Sequence, residues 1–141
     1  MKAMQISMSG LNVEWQRLQV IAENLANINS TRNEIGEVFS PRRLLTGSQV
    51  KFEQLLSNGK SPATPTGVTV LGLEAIPGGV RKAFEPTHPH ADEDGFVSYP
   101  KVDHAAEMTL MIKTSRAYEA NLTAMSIAQQ MYSKALNMGR Q

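Results

Sequence analysis

The chain has 141 residues, with 14 Lys and Arg against 13 Asp and Glu and a formal net charge of +1. This length suffices for one domain with a modest core, and the near-zero charge argues against electrostatic binding of nucleic acid or of an anionic membrane surface. No cysteine occurs, which excludes disulfide frameworks, thiolate nucleophiles and cysteine zinc sites.

The N-terminal segment is predicted to form one amphipathic helix over residues 3–28. Its apolar residues recur at spacings of four and three, which is the pattern of a coiled-coil seam. The seam consists of Met4, Met8, Leu11, Trp15, Leu18, Ala22 and Leu25. Polar residues interrupt any signal-peptide core or membrane span, so we expect any export to proceed without a cleaved signal. The run from Asn27 to Thr31 ends the helix, because Asn and Ser side chains compete for backbone hydrogen bonds.

The middle segment, residues 32–102, holds all seven Pro residues and has the composition of loops and short strands. Three strands are predicted, at residues 67–73, 80–84 and 96–99, and they are expected to make one small β element. Residues 50–56 are interpreted as a short helix or a docked loop, and residues 57–66 are expected to be mobile. The single basic doublet, Arg42 and Arg43, is interpreted as part of a solvated face.

The C-terminal segment is predicted to form a longer helix over residues 105–138. Asp103 is the expected N-cap, and Gly139 with Arg140 suits the helix end. The seam of this helix consists of Met108, Met111, Ser115, Tyr118, Leu122, Met125, Gln129, Tyr132 and Leu136. The sequence therefore predicts an α+β fold in which long N- and C-terminal helices form a coiled-coil-like helical domain (1–31 and 103–141), with a small β-rich, loop-rich middle segment (32–102).

Apolar residues also lie partly outside both seams. They are Ile6, Val13, Ile21, Leu110, Ile112, Ile127 and Met131. Extra apolar positions around a helix imply further helix neighbours, and the middle segment is too small to supply them. Two interpretations remain open, namely an oligomer or polymer built from both termini and a self-contained helical hairpin that acts as a binding module. Under the first, the expected contact residues are Met4, Met8, Leu11, Trp15, Leu18, Leu25, Met108, Met111, Tyr118, Leu122, Met125, Tyr132 and Leu136.

Residues 88–94 form the one cluster whose composition suggests metal binding, with two imidazoles and three carboxylates. An EF-hand that began at Asp92 would need a bidentate Glu where Asp103 stands, and a local zinc site lacks a clear remaining ligand. A polar turn capped by Asp92 or Asp94 with Gly95 is therefore favoured over a metal-dependent enzyme. No phosphate loop, dinucleotide fingerprint or nucleophile elbow occurs. We expect no catalytic residue, no metal, no cofactor and no small-molecule substrate. A membrane-active helical protein is disfavoured by the small charge of both ends.

Several motifs resemble those of the flagellar axial proteins. The first predicted helix ends in Asn24, Leu25, Ala26 and Asn27, which resemble the signature shared by rod and hook proteins. Within that family, residues 84–92, 94–97, 115–116 and 118–121 resemble the basal-body rod proteins of the FlgC type. With residues 67–73 and the closing residues of the second helix, the resemblance covers nearly the whole chain.

The resemblance implies a structural subunit of the proximal rod of the bacterial flagellar basal body, the torque-transmitting shaft that spans the periplasm. It implies as partners other rod subunits, the inner-membrane ring adaptor and the flagellar type III export apparatus, with no nucleic acid. The terminal helices would associate in the inner tube of the assembly, and the middle segment would face outward. Asn24 and Asn27 would form hydrogen bonds where the helix gives way to the loop, or simply stop the helix. Another axial rod or adaptor protein is the alternative within the same class.

Overall fold

The computed structural model describes residues 2–32, 35–49 and 66–139. In chain order, the elements of these residues are α1 (Lys2–Ala26), β1 (Arg42–Ser48), β2 (Val68–Ala75), β3 (Val80–Phe84), β4 (Phe96–Pro100) and α2 (His104–Met138). Two long helices at the ends with short strands between them confirm the predicted α+β fold.

The predicted N-cap of α2 is confirmed. The carboxylate of Asp103 accepts hydrogen bonds from the backbone N–H groups of Ala105 and Ala106, two donors that the helix itself cannot satisfy. At the other end, the backbone N–H of Gly139 donates to the carbonyl of Ala135. Arg140 lies outside the described residues.

The helices α1 and α2 pack against each other in an antiparallel hairpin. Near one end of the hairpin, Asn24 Nδ2 lies 3.5 Å from Glu107 Oε1. Further along the hairpin Gly10 faces Asn121, and a Cβ atom on Gly10 would lie only 2.9 Å from Asn121 Oδ1. The missing side chain of Gly10 therefore allows the two helices to approach closely.

The side of α1 that packs inside the molecule coincides only in part with the predicted seam, of which Leu11 is buried. Val13 and Ile21, which lie outside that seam, are 3% and 2% exposed, whereas Met8 and Trp15 within it are 58% and 56% exposed. The physical reason is that α1 has more than one apolar stripe, and among the described residues α2 and the β1–β2 pair pack against the stripe that holds Val13 and Ile21. Periodicity identifies apolar stripes but does not say which of them meets an internal partner.

The strands form two separate antiparallel pairs, β1–β2 and β3–β4, so the expectation of one β element made of three strands is wrong. Strand β1 was not predicted, because it begins with a basic doublet and its apolar residues, Leu44 and Leu45, are adjacent and do not alternate. It forms through pairing with β2, in which Leu44 lies opposite Leu73, and the register shifts after Leu45. Such strand formation depends on a distant partner.

The β1–β2 pair lies alongside α1 and is tied to it near both ends. The backbone N–H of Val68 donates to Ser9 Oγ at 3.0 Å, and the backbone of Arg42 bonds to Asn24 at the opposite end. Strands β3 and β4 confirm the predictions at 80–84 and 96–99. The predicted helix or loop at 50–56 and the mobile stretch at 57–66, apart from Thr66, lie outside the described residues.

Candidate assembly interface

Asn24 is buried at the junction of α1, α2 and β1, with 1% of its surface exposed. Its Nδ2 donates to the carbonyl of Arg42 at 2.8 Å, and its Oδ1 accepts from the Arg42 backbone N–H at 3.0 Å. The side-chain amide therefore pairs with β1 as a neighbouring strand would. Asn24 joins the middle segment to the helical hairpin.

Asn27, the second asparagine of the motif, has a local role. Its side-chain Nδ2 and its backbone N–H both contact the carbonyl of Glu23, at 2.8 and 3.1 Å. Its own carbonyl accepts from the N–H and the hydroxyl of Ser30. These bonds satisfy backbone groups where α1 ends, so the two asparagines of one motif differ in role.

Glu107 lies beside Asn24 in the first turn of α2. Its Oε2 atom is buried and has no hydrogen-bond partner within the part of the chain that the structure describes. Burial raises the pKa of this carboxyl, although the hydrogen bond from Asn24 acts in the opposite direction. The nearby cations are paired elsewhere, since Arg17 bonds to Glu14 and Arg42 to Glu23, each at 2.6 Å.

An open apolar groove of about 420 Å³ runs along the outer side of the helical hairpin. We call it the hairpin groove. It is lined by Met8, Leu11, Asn12, Trp15, Tyr118 and Met125. Five of these six residues are predicted contact residues, and none of the six carries a charge. The tertiary structure therefore brings residues from both terminal helices together on one neutral, partly exposed surface.

The other predicted contact residues do not line the hairpin groove. Met4, Leu18, Leu25 and Met111 are half-buried, and Ala26 of the motif is exposed. The exposed members on α2 are Met108 (39%), Leu122 (47%), Tyr132 (48%) and Leu136 (53%). Asn12 was missed by the sequence reasoning, because a polar residue beside a heptad seam has no apolar signal. Gly10 carries no apolar signal either, although it is a close-packing position.

The histidine-rich cluster connects the 85–95 loop to the segment that follows α1. His90 Nδ1 lies 2.7 Å from Thr31 Oγ1, and His88 Nδ1 accepts from the backbone N–H of His90. The Asp92 carboxylate accepts from the backbone N–H of Phe96 at 2.7 Å, and this bond holds the pKa of Asp92 below its ordinary value. Gly95 has a φ of +81°, which a glycine adopts without strain. The predicted turn capped by Asp92 is confirmed.

Two absences hold for residues 2–32, 35–49 and 66–139. No group of three or more His, Cys, Asp and Glu side chains is placed to hold a metal ion. Neither long helix is apolar enough over a sufficient length to cross a bilayer.

Family models match both ends of the chain. A model described as "Flagella basal body rod protein" matches residues 4–33, and one described as "Flagellar basal body rod FlgEFG protein C-terminal" matches residues 93–138. The first match covers α1 from Met4 onward, and the second covers β4 and α2. Both terminal helices are thus similar to those of rod proteins.

Comparison with curated proteins extends the similarity to nearly the whole chain. The chain is 32% identical to the flagellar basal-body rod protein FlgC of Bacillus subtilis, over 98% of its own length and 97% of the relative's. It is 33% identical to FlgC of Aquifex aeolicus over 94% and 91% of the two chains. It is 32% identical to FlgC of Yersinia enterocolitica over 96% and 94%.

Proposed function

Because this chain belongs to the FlgC family of flagellar basal-body rod proteins, we propose that it enters the rod through the hairpin groove between its terminal helices. The protein is a structural subunit of the proximal rod of the bacterial flagellar basal body, assembled with other flagellar proteins. Its relatives are named flagellar basal-body rod proteins.

The hairpin groove is the observation that carries the proposal. Trp15 and Met8 leave more than half of their surface exposed beside Tyr118 and Met125. Large exposed apolar surfaces mark protein interaction sites, Trp and Tyr are enriched at the centres of interfaces, and Met adapts to irregular partners. A neutral groove that draws on both termini suits contact with the helices of neighbouring rod subunits.

The flanking half-buried residues extend the proposed contact layer along both helices. In this arrangement, residues 1–31 and 103–141 act as one helical core in the inner tube, and residues 32–102 face outward. Torque is then transmitted by many apolar contacts that act in parallel. The bonds from Asn24 to Arg42 and from Ser9 to Val68 support this arrangement, because they make the middle segment move with the helices.

The export route, the location in the cell and the individual binding partners form part of the same proposal. The subunit passes unfolded through the flagellar type III export apparatus, and it takes its place in the periplasm-spanning rod. At the base of the rod its neighbours include the inner-membrane ring adaptor. The protein has no catalytic function, metal or cofactor. The absence of cysteine from the sequence is compatible with this route.

A pair of substitutions on neighbouring residues of α1 tests the proposal. Trp15→Asp places a charge in the hairpin groove, whereas Gln16→Asp places one at an exposed position outside it. In cells that lack the endogenous gene, the Trp15→Asp chain should be produced at normal levels, fold, and be absent from isolated basal bodies. The Gln16→Asp chain should be incorporated and should support motility. Normal incorporation of the Trp15→Asp chain would refute the role of the hairpin groove.

A further inference from the structure

We propose that the C-terminal end of α2, residues 131–138, docks into the hairpin groove of a second copy of this chain. We call these residues the overhang. The inference rests on the proposed function, because it names the occupant of the same groove. It predicts a directional contact in which one copy contributes the overhang and its neighbour contributes the groove.

The antiparallel register of the hairpin defines the overhang. Asn24 lies opposite Glu107, and Gly10 lies opposite Asn121. If the helices continue at the same register, Lys2 lies opposite residue 129. Residues 131–138 therefore extend beyond the described part of α1 by about 12 Å, at 1.5 Å per residue.

The packing stripe of α2 continues into the overhang. Along the hairpin, the side of α2 that faces α1 includes Tyr118, Asn121 and Met125, at spacings of three and four. The same spacing leads on to Tyr132 and Leu136, which are 48% and 53% exposed. Within the described residues, no helix covers this continuation. A stripe that packs against a helix for most of its length requires a helical surface at its end as well.

The hairpin groove matches the overhang in length and in charge. From Met8 to Trp15 the groove runs seven residue steps, about 10 Å along the helix, and the overhang spans the same number of steps. No charged residue lines the groove, and Lys134 is the one charged residue of residues 131–138. Docking would therefore bury apolar side chains on both sides without leaving an unpaired charge inside the contact.

The contact cannot close within one chain. Asn12 in the groove lies opposite residue 119, and Ala135 in the overhang is about 24 Å further along the same helix. The overhang and the groove are different surfaces of the molecule, so a contact between them is heterologous and continues from copy to copy. A contact of this type suits a subunit that adds to a growing assembly.

Cysteine cross-linking in assembled rods tests the inference, because the chain has no cysteine of its own. The full chain is produced with Asn12→Cys and Ala135→Cys together, and with each change alone, in cells that lack the endogenous gene. Basal bodies are isolated, mildly oxidised and examined for cross-linked products. Asn12→Cys with Thr123→Cys is the matched control, because Thr123 lies on the opposite side of α2 and is exposed.

The expected result is a disulfide-linked dimer of this chain in the double variant, several-fold more abundant than in the control pair and in either single variant. A dimer from Ala135→Cys alone would show that overhangs pair with each other and would overturn the inference. A cross-link solely to a different rod protein would also overturn it, as would incorporation of the double variant without any cross-link. If the unaltered chain is absent from basal bodies, the proposed function fails instead.

A charge-reversal pair keeps the inference testable if the cysteines prevent assembly. Asn12→Asp should reduce motility by placing a charge in the hairpin groove. Ala135→Lys in the same chain should restore motility at least in part, because the new cation meets the carboxylate of the neighbouring copy. No restoration, or equal restoration by Thr123→Lys, would overturn the inference.

Discussion

The side-chain amide of Asn24 forms two hydrogen bonds with the backbone of a single residue, Arg42, which is 18 positions away in the chain. The amide is buried on α1, and Arg42 is the first residue of β1. An amide presents N–H donors and a carbonyl acceptor side by side in a fixed plane, so it can replace a strand neighbour, whereas a carboxylate or a hydroxyl cannot do so in the same geometry. The rod-protein motif therefore contains a tertiary contact as well as a helix end.

Loss of this contact should be costly. Asn24→Ala leaves both the N–H and the carbonyl of Arg42 without their partner, and we expect a loss of about 2–3 kcal/mol in the free energy of unfolding. Asn27→Ala is the matched control, because its side-chain bond is local and exposed, and its cost should be below about 1 kcal/mol. Urea unfolding of the two variants measures the difference. Equal costs would contradict the anchoring role of Asn24.

The close approach at Gly10 predicts a coupling with Asn121. Alanine is preferred to glycine inside a helix by about 1 kcal/mol, but a Cβ atom on Gly10 would clash with the Asn121 side chain. Gly10→Ala alone should therefore leave the free energy of unfolding almost unchanged or lower it. In an Asn121→Ala background, the same change should recover most of the expected gain. A double-mutant cycle measures the coupling, and additive effects would show that the helices are not in close contact here.

The partly buried carboxyl of Glu107 predicts a pH dependence of stability. Its pKa is raised in the folded protein, so the protonated form is favoured there, and the associated stability is present at low pH and lost as the pH rises through the raised pKa. Glu107→Gln should stabilise the protein at neutral pH and flatten this part of the profile. Thermal unfolding between acid and neutral pH checks both effects. An unchanged profile in the variant would assign the pH dependence to other groups.

The contribution of Asp92 to stability should change with pH in the opposite direction to that of Glu107. The backbone N–H of Phe96 holds its pKa below the ordinary value, so its contribution is present above the ordinary pKa of aspartate and is lost as the pH falls through the lowered one. Asp92→Asn should reduce this loss of stability in acid, and Glu93→Gln, which changes an exposed carboxyl next to it, serves as the control. Acid titration followed by circular dichroism measures the effect. Equal acid sensitivity of Asp92→Asn and the unaltered chain would contradict it.

The exposed apolar positions on α2 should matter for assembly and not for folding. Leu122 is 47% exposed, so Leu122→Asp should change the unfolding temperature by no more than a few degrees while reducing incorporation into basal bodies. Thr123→Asp, at the next exposed position, should be incorporated normally. The amount of each chain in purified basal bodies relative to the cell extract is the measurement. Equal incorporation of the two variants would exclude Leu122 from the interface.

Several site features could not be derived from the sequence, and the reasons are physical. The bond between Asn24 and Arg42 joins residues that are distant in the chain, and β1 owes its existence to its pairing with β2. Local preference carries no information about such contacts. The hairpin groove could not be derived from the sequence for the same reason. Its position depends on how α1 is rotated about its own axis relative to α2. That rotation depends on the close approach at Gly10 and on the β1–β2 pair beside α1.

The sequence by itself determined the features that depend on near neighbours. These are the two long helices, the N-cap at Asp103, the turn at Asp92 and Gly95, and the family motif, because the spacing of apolar residues and of hydrogen-bonding side chains acts within a few residues. The tertiary structure decided which apolar stripe faces inward. It buries Val13 and Ile21 and leaves Trp15 and Met8 exposed. The reason is that the neighbouring elements determine which apolar stripe of the helix is covered, and the sequence of the helix alone does not distinguish the stripes.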